Sequence, residues 1–170
     1  LNRTTAFGYY AQNMVALNEQ VTEHVARPDA AGPRERLWQV RAKKVVLATG
    51  SIERHMVFAE NDRPGVMLSG AARHYLNHHG VAVGRRIGVY TAHDGAYLAA
   101  FDLKRAGCDI PAIVDLRKDV ADDLLNEAKS LGIEVLTAHS VVKAGGRLRV
   151  SSMEARPVNG QLPVIRVMTE

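Results

Sequence analysis

Short runs of β-forming residues, not helical periodicity, dominate the first fifty positions of the chain. Thr4 to Tyr10 and Met14 to Val21 are two such runs, separated by Ala11-Gln12-Asn13, and predict a pair of strands. From Arg27 to Arg36 the composition shifts to Pro28, Asp29, Gly32 and Pro33, which is loop chemistry. Leu37 to Val40 reads as a half-buried antiparallel strand. Val45-Val46-Leu47-Ala48 is unbroken apolar, the pattern expected of a strand covered on both faces.

The period changes after a connector in which Asn61-Asp62-Arg63-Pro64-Gly65 predicts a turn. Ser69 can cap a helix running to His79, which Gly80 ends. Strand and helix then alternate. Ile87 to Thr91, Ile110 to Val114 and Ile133 to Leu136 read as strands. Gly95 to Ala106 and Val120 to Leu131 read as helices, the first with Leu98, Phe101, Leu103 and Ala106 as its apolar positions. A βαβαβ order implies parallel strands joined by right-handed crossovers. The tail returns to antiparallel strands at Ser140 to Lys143, Arg147 to Ser152 and Val164 to Met168. The expected architecture is α/β: a parallel sheet flanked by antiparallel meanders. Residues 1–66 form an incomplete outer module, and residues 67–170 an inserted Rossmann-like one that lacks its final strand.

Composition narrows the function classes. The chain has 170 residues, 46% of them hydrophobic and 5% aromatic, and no run of the roughly 20 apolar residues that would span a bilayer. Its opening, LNRTTAFG, lacks both an initiating Met and a signal-peptide pattern, so it reads as an excerpt from a longer chain. The net charge of +4 is spread over short pairs such as Lys43-Lys44, Arg85-Arg86 and Arg117-Lys118, which argues for a solvated surface and against nucleic-acid binding. Cys108 is the only cysteine, which excludes an internal disulfide and a thiolate metal cluster and points to a reducing, cytoplasmic setting.

Two segments offer nucleotide chemistry. In Val45-Val46-Leu47-Ala48-Thr49-Gly50, a strand ending in Ala-Thr-Gly lets the backbone pass close to a dinucleotide, since Gly50 has no side chain to obstruct it. Many core strands end in a small residue and glycine, so the motif gains weight only from its place between a meander and a second βαβ unit. That order matches the FAD/NAD(P)-binding, disulfide-reductase-like architecture. The other segment is the turn after Ile87-Gly88-Val89-Tyr90, where a dinucleotide fingerprint would read G-x-G-x-x-G. Here it reads Thr91-Ala92-His93-Asp94-Gly95-Ala96, with both leading glycines absent and an acid where a pyrophosphate would sit. Asp94 is a natural helix start, and the reading favoured is that this module keeps the fold without holding a dinucleotide in the usual pose. Asp115 stands where an acid would bind a ribose hydroxyl, or else pairs with Arg117 or Lys118. The degenerate turn favours pairing.

Other candidates are weaker. His74 and His78 share a helix face at i, i+4, with His79 adjacent, but nothing between them resembles a zinc-protease glutamate. They read as surface or interface histidines. Ser51, Glu53 and His55 form no nucleophile arrangement. Cys108 reads as a small packing residue without a resolving partner.

Four stretches taken together carry a resemblance. Arg3-Thr4-Thr5-Ala6-Phe7-Gly8-Tyr9-Tyr10, Arg36 to Lys43, Val45 to Gly50 with Glu53-Arg54, and Asn61-Asp62-Arg63-Pro64-Gly65-Val66-Met67 resemble the alpha subunit of heterotetrameric sarcosine oxidase along roughly the whole chain. The alpha subunits of opine oxidases and of D-hydroxyproline or hydrogen cyanide-producing dehydrogenases share this architecture. The resemblance implies an enzyme that oxidatively demethylates sarcosine to glycine, reduces oxygen to hydrogen peroxide and passes the one-carbon unit to tetrahydrofolate. It implies FAD on a beta subunit, FMN between subunits, and a tightly held NAD in the alpha subunit. By position, Ala6 would lie near the adenine, and Thr49 and Gly50 near the adenosine or pyrophosphate. No catalytic residue and no metal ligand is expected in this stretch, which would be inactive alone and would self-associate through its uncovered apolar surface. The rival expectation is a non-catalytic module that docks neighbouring subunits.

Overall fold

The computed structural model describes residues 2–29, 31–160 and 164–169, in two compact units divided between Ser51 and Ile52. The boundary therefore falls earlier than position 66. Residues 52–66 pack on the second unit because their backbone is tied there: Ala59 N–H donates to Val142 O at 3.0 Å, and Val150 N–H donates to Pro64 O at 2.9 Å.

The first unit is a three-stranded antiparallel meander of β1 (Thr4–Tyr10), β2 (Met14–Gln20) and β3 (Glu35–Arg41), with β2 central. Gln12 and Asn13 turn the chain at φ of 58° and 55°, a region that asparagine tolerates better than most residues. The Asn13 side chain holds the turn, accepting from Tyr9 Oη at 2.7 Å and donating to Lys43 O at 3.2 Å. Register places Leu17 opposite Trp38, and Trp38 Nε1 donates to Glu19 Oε2 at 2.7 Å.

The Val45–Ala48 strand is not formed. No ladder partner lies beside this segment among the described residues, and Val46 and Leu47 are 88% and 67% exposed. An apolar run becomes a buried strand only when neighbouring strands satisfy its amides and carbonyls and a layer covers each face. Ala16 is the one buried residue among those described in this unit, so the meander has almost no core of its own.

The second unit contains α1 (Ser69–His79), β4 (Val89–Thr91), α2 (Gly95–Arg105), β5 (Ala112–Asp115), α3 (Asp122–Ser130), β6 (Glu134–Leu136), β7 (His139–Gly145), β8 (Ser152–Pro157) and β9 (Ile165–Met168). The strands β4, β5 and β6 are parallel with β5 central, and β7, β8 and β9 form an antiparallel meander. All four residues of β5 are buried. Ile113 packs among Tyr97, Phe101, Leu124 and Ala128 from the helices, while Ala112 and Val114 pack among Val141, Met153, Ala155 and Val167 of the meander. Side chains alternate along a strand, so one sheet can be sealed by helices on one face and by a second sheet on the other.

Two local expectations shift. The buried face of α2 is Ala96, Tyr97, Ala99, Ala100, Phe101 and Leu103, whereas Leu98 is 43% exposed. At 100° per residue Tyr97 shares the stripe of Phe101 and Leu98 falls beside it. Arg147 to Val150 is a turn instead of a strand, and β8 begins at Ser152. The break comes at Gly146, whose φ of 146° is closed to other residues.

Candidate functional site

In a βαβ sheet the ligand crevice lies outside the carboxyl ends of the strands. Here that edge is the turn from Thr91 into α2, together with Asp115 at the end of β5. Thr91 Oγ1 donates to His93 O at 2.9 Å and accepts from His93 N–H at 3.0 Å, closing a tight hydroxyl turn. Gly95 N–H donates to His93 Nδ1 at 3.1 Å.

Asp94 is the first residue of this helix start but does not cap it through its side chain. Its carboxylate turns instead to Arg117 Nη1 at 2.7 Å. A guanidinium in hydrogen-bond reach is a better partner for a carboxylate than neutral helix amides.

Asp115 is fully buried and accepts from four donors: Tyr97 Oη at 2.9 Å, Arg117 backbone N–H at 2.8 Å, Arg117 Nε at 3.2 Å and Arg117 Nη2 at 2.8 Å. Burial, then the hydrogen bond to Asp115, pushes the Tyr97 phenol well above its ordinary range. The Asp115 hydrogen bond raises Arg117 further, outweighing its burial. Of the two uses open to Asp115, pairing with Arg117 is the arrangement found. Tyr97, with no motif to mark it, joins the pair because its place on α2 aims it at the end of β5.

A second polar cluster anchors the connector to α1. Glu53 Oε1 accepts from Ser69 N–H at 3.2 Å and Ser69 Oγ at 2.6 Å, and Glu53 Oε2 accepts from Gly70 N–H at 2.7 Å. The residue flanking the helix is Leu68, so Ser69 is its first helical residue and Glu53 supplies the cap. Burial alone would raise the Glu53 carboxyl, but these hydrogen bonds and nearby His93 hold it below its ordinary value. Beside this anchor runs a cleft of about 170 Å³, lined chiefly by apolar groups including Met56, Phe58, Val66, Met67, Val141 and Met153.

The remaining candidates disperse. Glu53 is committed to α1, and His55 is exposed. The rings of His74, His78 and His79 lie 4.8–5.4 Å apart between centroids on an exposed face, and no group of three metal-ligating side chains forms among the described residues. Cys108 is buried, and burial raises its thiol above the ordinary range, as suits a packing residue. No helix among the described residues is long and apolar enough to cross a membrane.

For a bound dinucleotide the two modules differ. Ala6 is exposed in β1, paired with Leu17 of β2, and Thr49 and Gly50 are exposed in the unpaired stretch. Gly50 has a φ of +69° with open space where a Cβ would project, so its backbone is free to be approached. The crevice at Asp94 and Asp115 is instead filled by the protein's own side chains and does not fit the group.

These elements define the class: an FAD/NAD(P)-binding oxidoreductase fold of the disulfide-reductase type. A solved FAD-dependent pyridine nucleotide-disulphide oxidoreductase from Desulfovibrio vulgaris matches 98% of this chain and 41% of its own at a TM-score of 0.57, with 16% identity. No family model matches the chain. In sequence the chain is related to part of the sarcosine oxidase alpha subunits. It is 42% identical over 98% of its length to sarcosine oxidase subunit alpha of Rhizobium meliloti (strain 1021), and 46% identical over 84% to that of Corynebacterium sp. (strain P-1). It spans only 18% and 15% of the length of those two relatives.

Proposed function

We propose that the chain is a cofactor-holding and scaffolding segment of the alpha subunit of an amine-oxidising flavoenzyme of the sarcosine oxidase kind. The 42% identity over 98% of the chain to the Rhizobium meliloti alpha subunit carries this reading. The assembled cytoplasmic enzyme oxidises the CH–NH bond of sarcosine with oxygen, yielding glycine, hydrogen peroxide and a one-carbon unit that passes to tetrahydrofolate when that is present. FAD and FMN belong to other parts of the complex, and NAD to this subunit.

Within that enzyme, the first unit, up to Ser51, belongs to the outer nucleotide-holding module, and the second, from Ile52 on, carries the inserted one. When bound, NAD supplies a nicotinamide able to exchange a hydride. Ala6 would face its adenine, and Thr49 and Gly50 would let the backbone come close to the adenosine and pyrophosphate. The left-handed conformation of Gly50 and the open space around it support that role. In this reading the segment supplies no general base or nucleophile and is inactive alone.

The test is the NAD content of the full-length subunit after Thr49→Val or Gly50→Val, released by denaturation and quantified. A several-fold loss relative to wild type is expected. Unchanged NAD content would favour a second reading, in which the segment docks neighbouring subunits. That reading draws on exposed apolar residues such as Val57 and Leu148, 92% and 83% accessible.

A further inference from the structure

The β4-α2-β5 unit keeps the frame of a nucleotide site: parallel strands, a crossover helix starting at the strand end, and an acid closing the second strand. Several groups that a dinucleotide would use are already engaged. A ribose hydroxyl needs a free lone pair on the terminal acid, but Asp115 meets four donors with two oxygens that offer about four acceptor sites. A pyrophosphate needs free amides in the turn, but His93 N–H is bound by Thr91 Oγ1 and Gly95 N–H by His93 Nδ1. It also needs a neutral or positive mouth. Asp94 and Asp115 share the single charge of Arg117, which leaves the trio one unit negative.

We propose that Arg117 is a built-in occupant of this crevice, bridging Asp94 and Asp115 so that the inserted module takes no NAD(P) and serves as scaffold. Arg117 fills the crevice from within. Its Nη1 meets Asp94, and its Nε and Nη2 meet Asp115, so three of its five N–H donors are held by the protein's own acids. The competing assignment makes Arg117 a receptor for the 2′-phosphate of NADP. That role would require the guanidinium to face the crevice unpaired, whereas here both ends of its fork are occupied.

The experiment uses the full-length subunit, with NADPH and ADP-ribose as probes in equilibrium dialysis and calorimetry. Wild type and Arg117→Ser should bind NADPH alike, with nothing lost on removing the guanidinium. Opening the crevice with Asp94→Gly/Arg117→Ser should create binding of either probe at least ten-fold above the wild-type background. Asp94→Ser/Arg117→Lys is a milder opening, because it leaves Asp115 a cation and gives α2 a capping serine; it should show the same gain. NADPH binding by wild type that Arg117→Ser abolishes would make Arg117 a ligand and overturn the proposal. A folded opened variant with no gain in either probe would also overturn it, because the missing glycines alone would then exclude the nucleotide. Loss of NAD from Thr49 or Gly50 variants reads a different locus, so the two ideas fail separately.

Discussion

Glu53→Gln isolates the charge that joins the connector to α1. The wild-type carboxylate receives three donors from Ser69 and Gly70 at the start of an 11-residue helix. A glutamine keeps one acceptor oxygen of similar reach but loses the charge and the second acceptor. Losing a helix cap costs about 0.5–2 kcal/mol, and losing a favourable charge at a helix N-terminus about 0.3–1 kcal/mol. The two overlap, so the expected loss is about 1–2 kcal/mol near neutral pH. For a chain of this size that corresponds to a fall in Tm of roughly 2–4 °C per kcal/mol. Because the folded-state pKa of Glu53 lies below the ordinary 4.5, its contribution is fully present above the unfolded pKa and is lost as pH falls through the folded one. Scanning calorimetry of both proteins from pH 7 downward should therefore show a gap that is constant at neutral pH and narrows on acidification below the ordinary carboxyl range. Equal Tm values at pH 7, or a gap that persists undiminished in acid, would refute the capping role.

Two further outcomes follow from the packing. Phe101→Ala should cost about 3–5 kcal/mol in chemical denaturation and Leu98→Ala less than about 0.5 kcal/mol, because Phe101 is 1% exposed and Leu98 43%. Equal costs would contradict the assigned face of α2. The isolated 170-residue chain should self-associate in light scattering, through exposed groups that include Val46 and Leu47. Val46→Asp/Leu47→Asp should shift it toward monomer, and a monodisperse wild-type chain would remove that expectation.

How much of this was legible beforehand depends on the range over which each feature is encoded. The end of α1 at His79 follows from a stop signal at Gly80 and sits where the pattern puts it, whereas Ser69, expected as the cap, is the first helical residue. The alternation of strand and helix from Ile87 to Leu136 sets a parallel sheet because crossover handedness leaves few other solutions. The combination of short motifs between Arg3 and Met67 carried the resemblance to sarcosine oxidase alpha subunits that the identities then matched. Asp115 was visible as an acid with a basic neighbour, since Arg117 stands only two positions on.

What the tertiary structure alone decided involves partners that no local pattern names. Glu53 caps a helix 16 residues downstream, and Asp94 meets Arg117 across 23. Both acids have nearer donors in sequence, and only the folded path brings the chosen ones into reach. Tyr97 instead of Leu98 faces the core because the sheet and α1 determine which side of α2 is covered. Val45–Ala48 carries the composition of a buried strand, yet composition expresses only a demand for neighbours. A strand exists where other backbones answer its amides and other side chains cover its faces, and for this segment none of the described residues pairs with its backbone while Val46, Leu47 and Ala48 stay exposed.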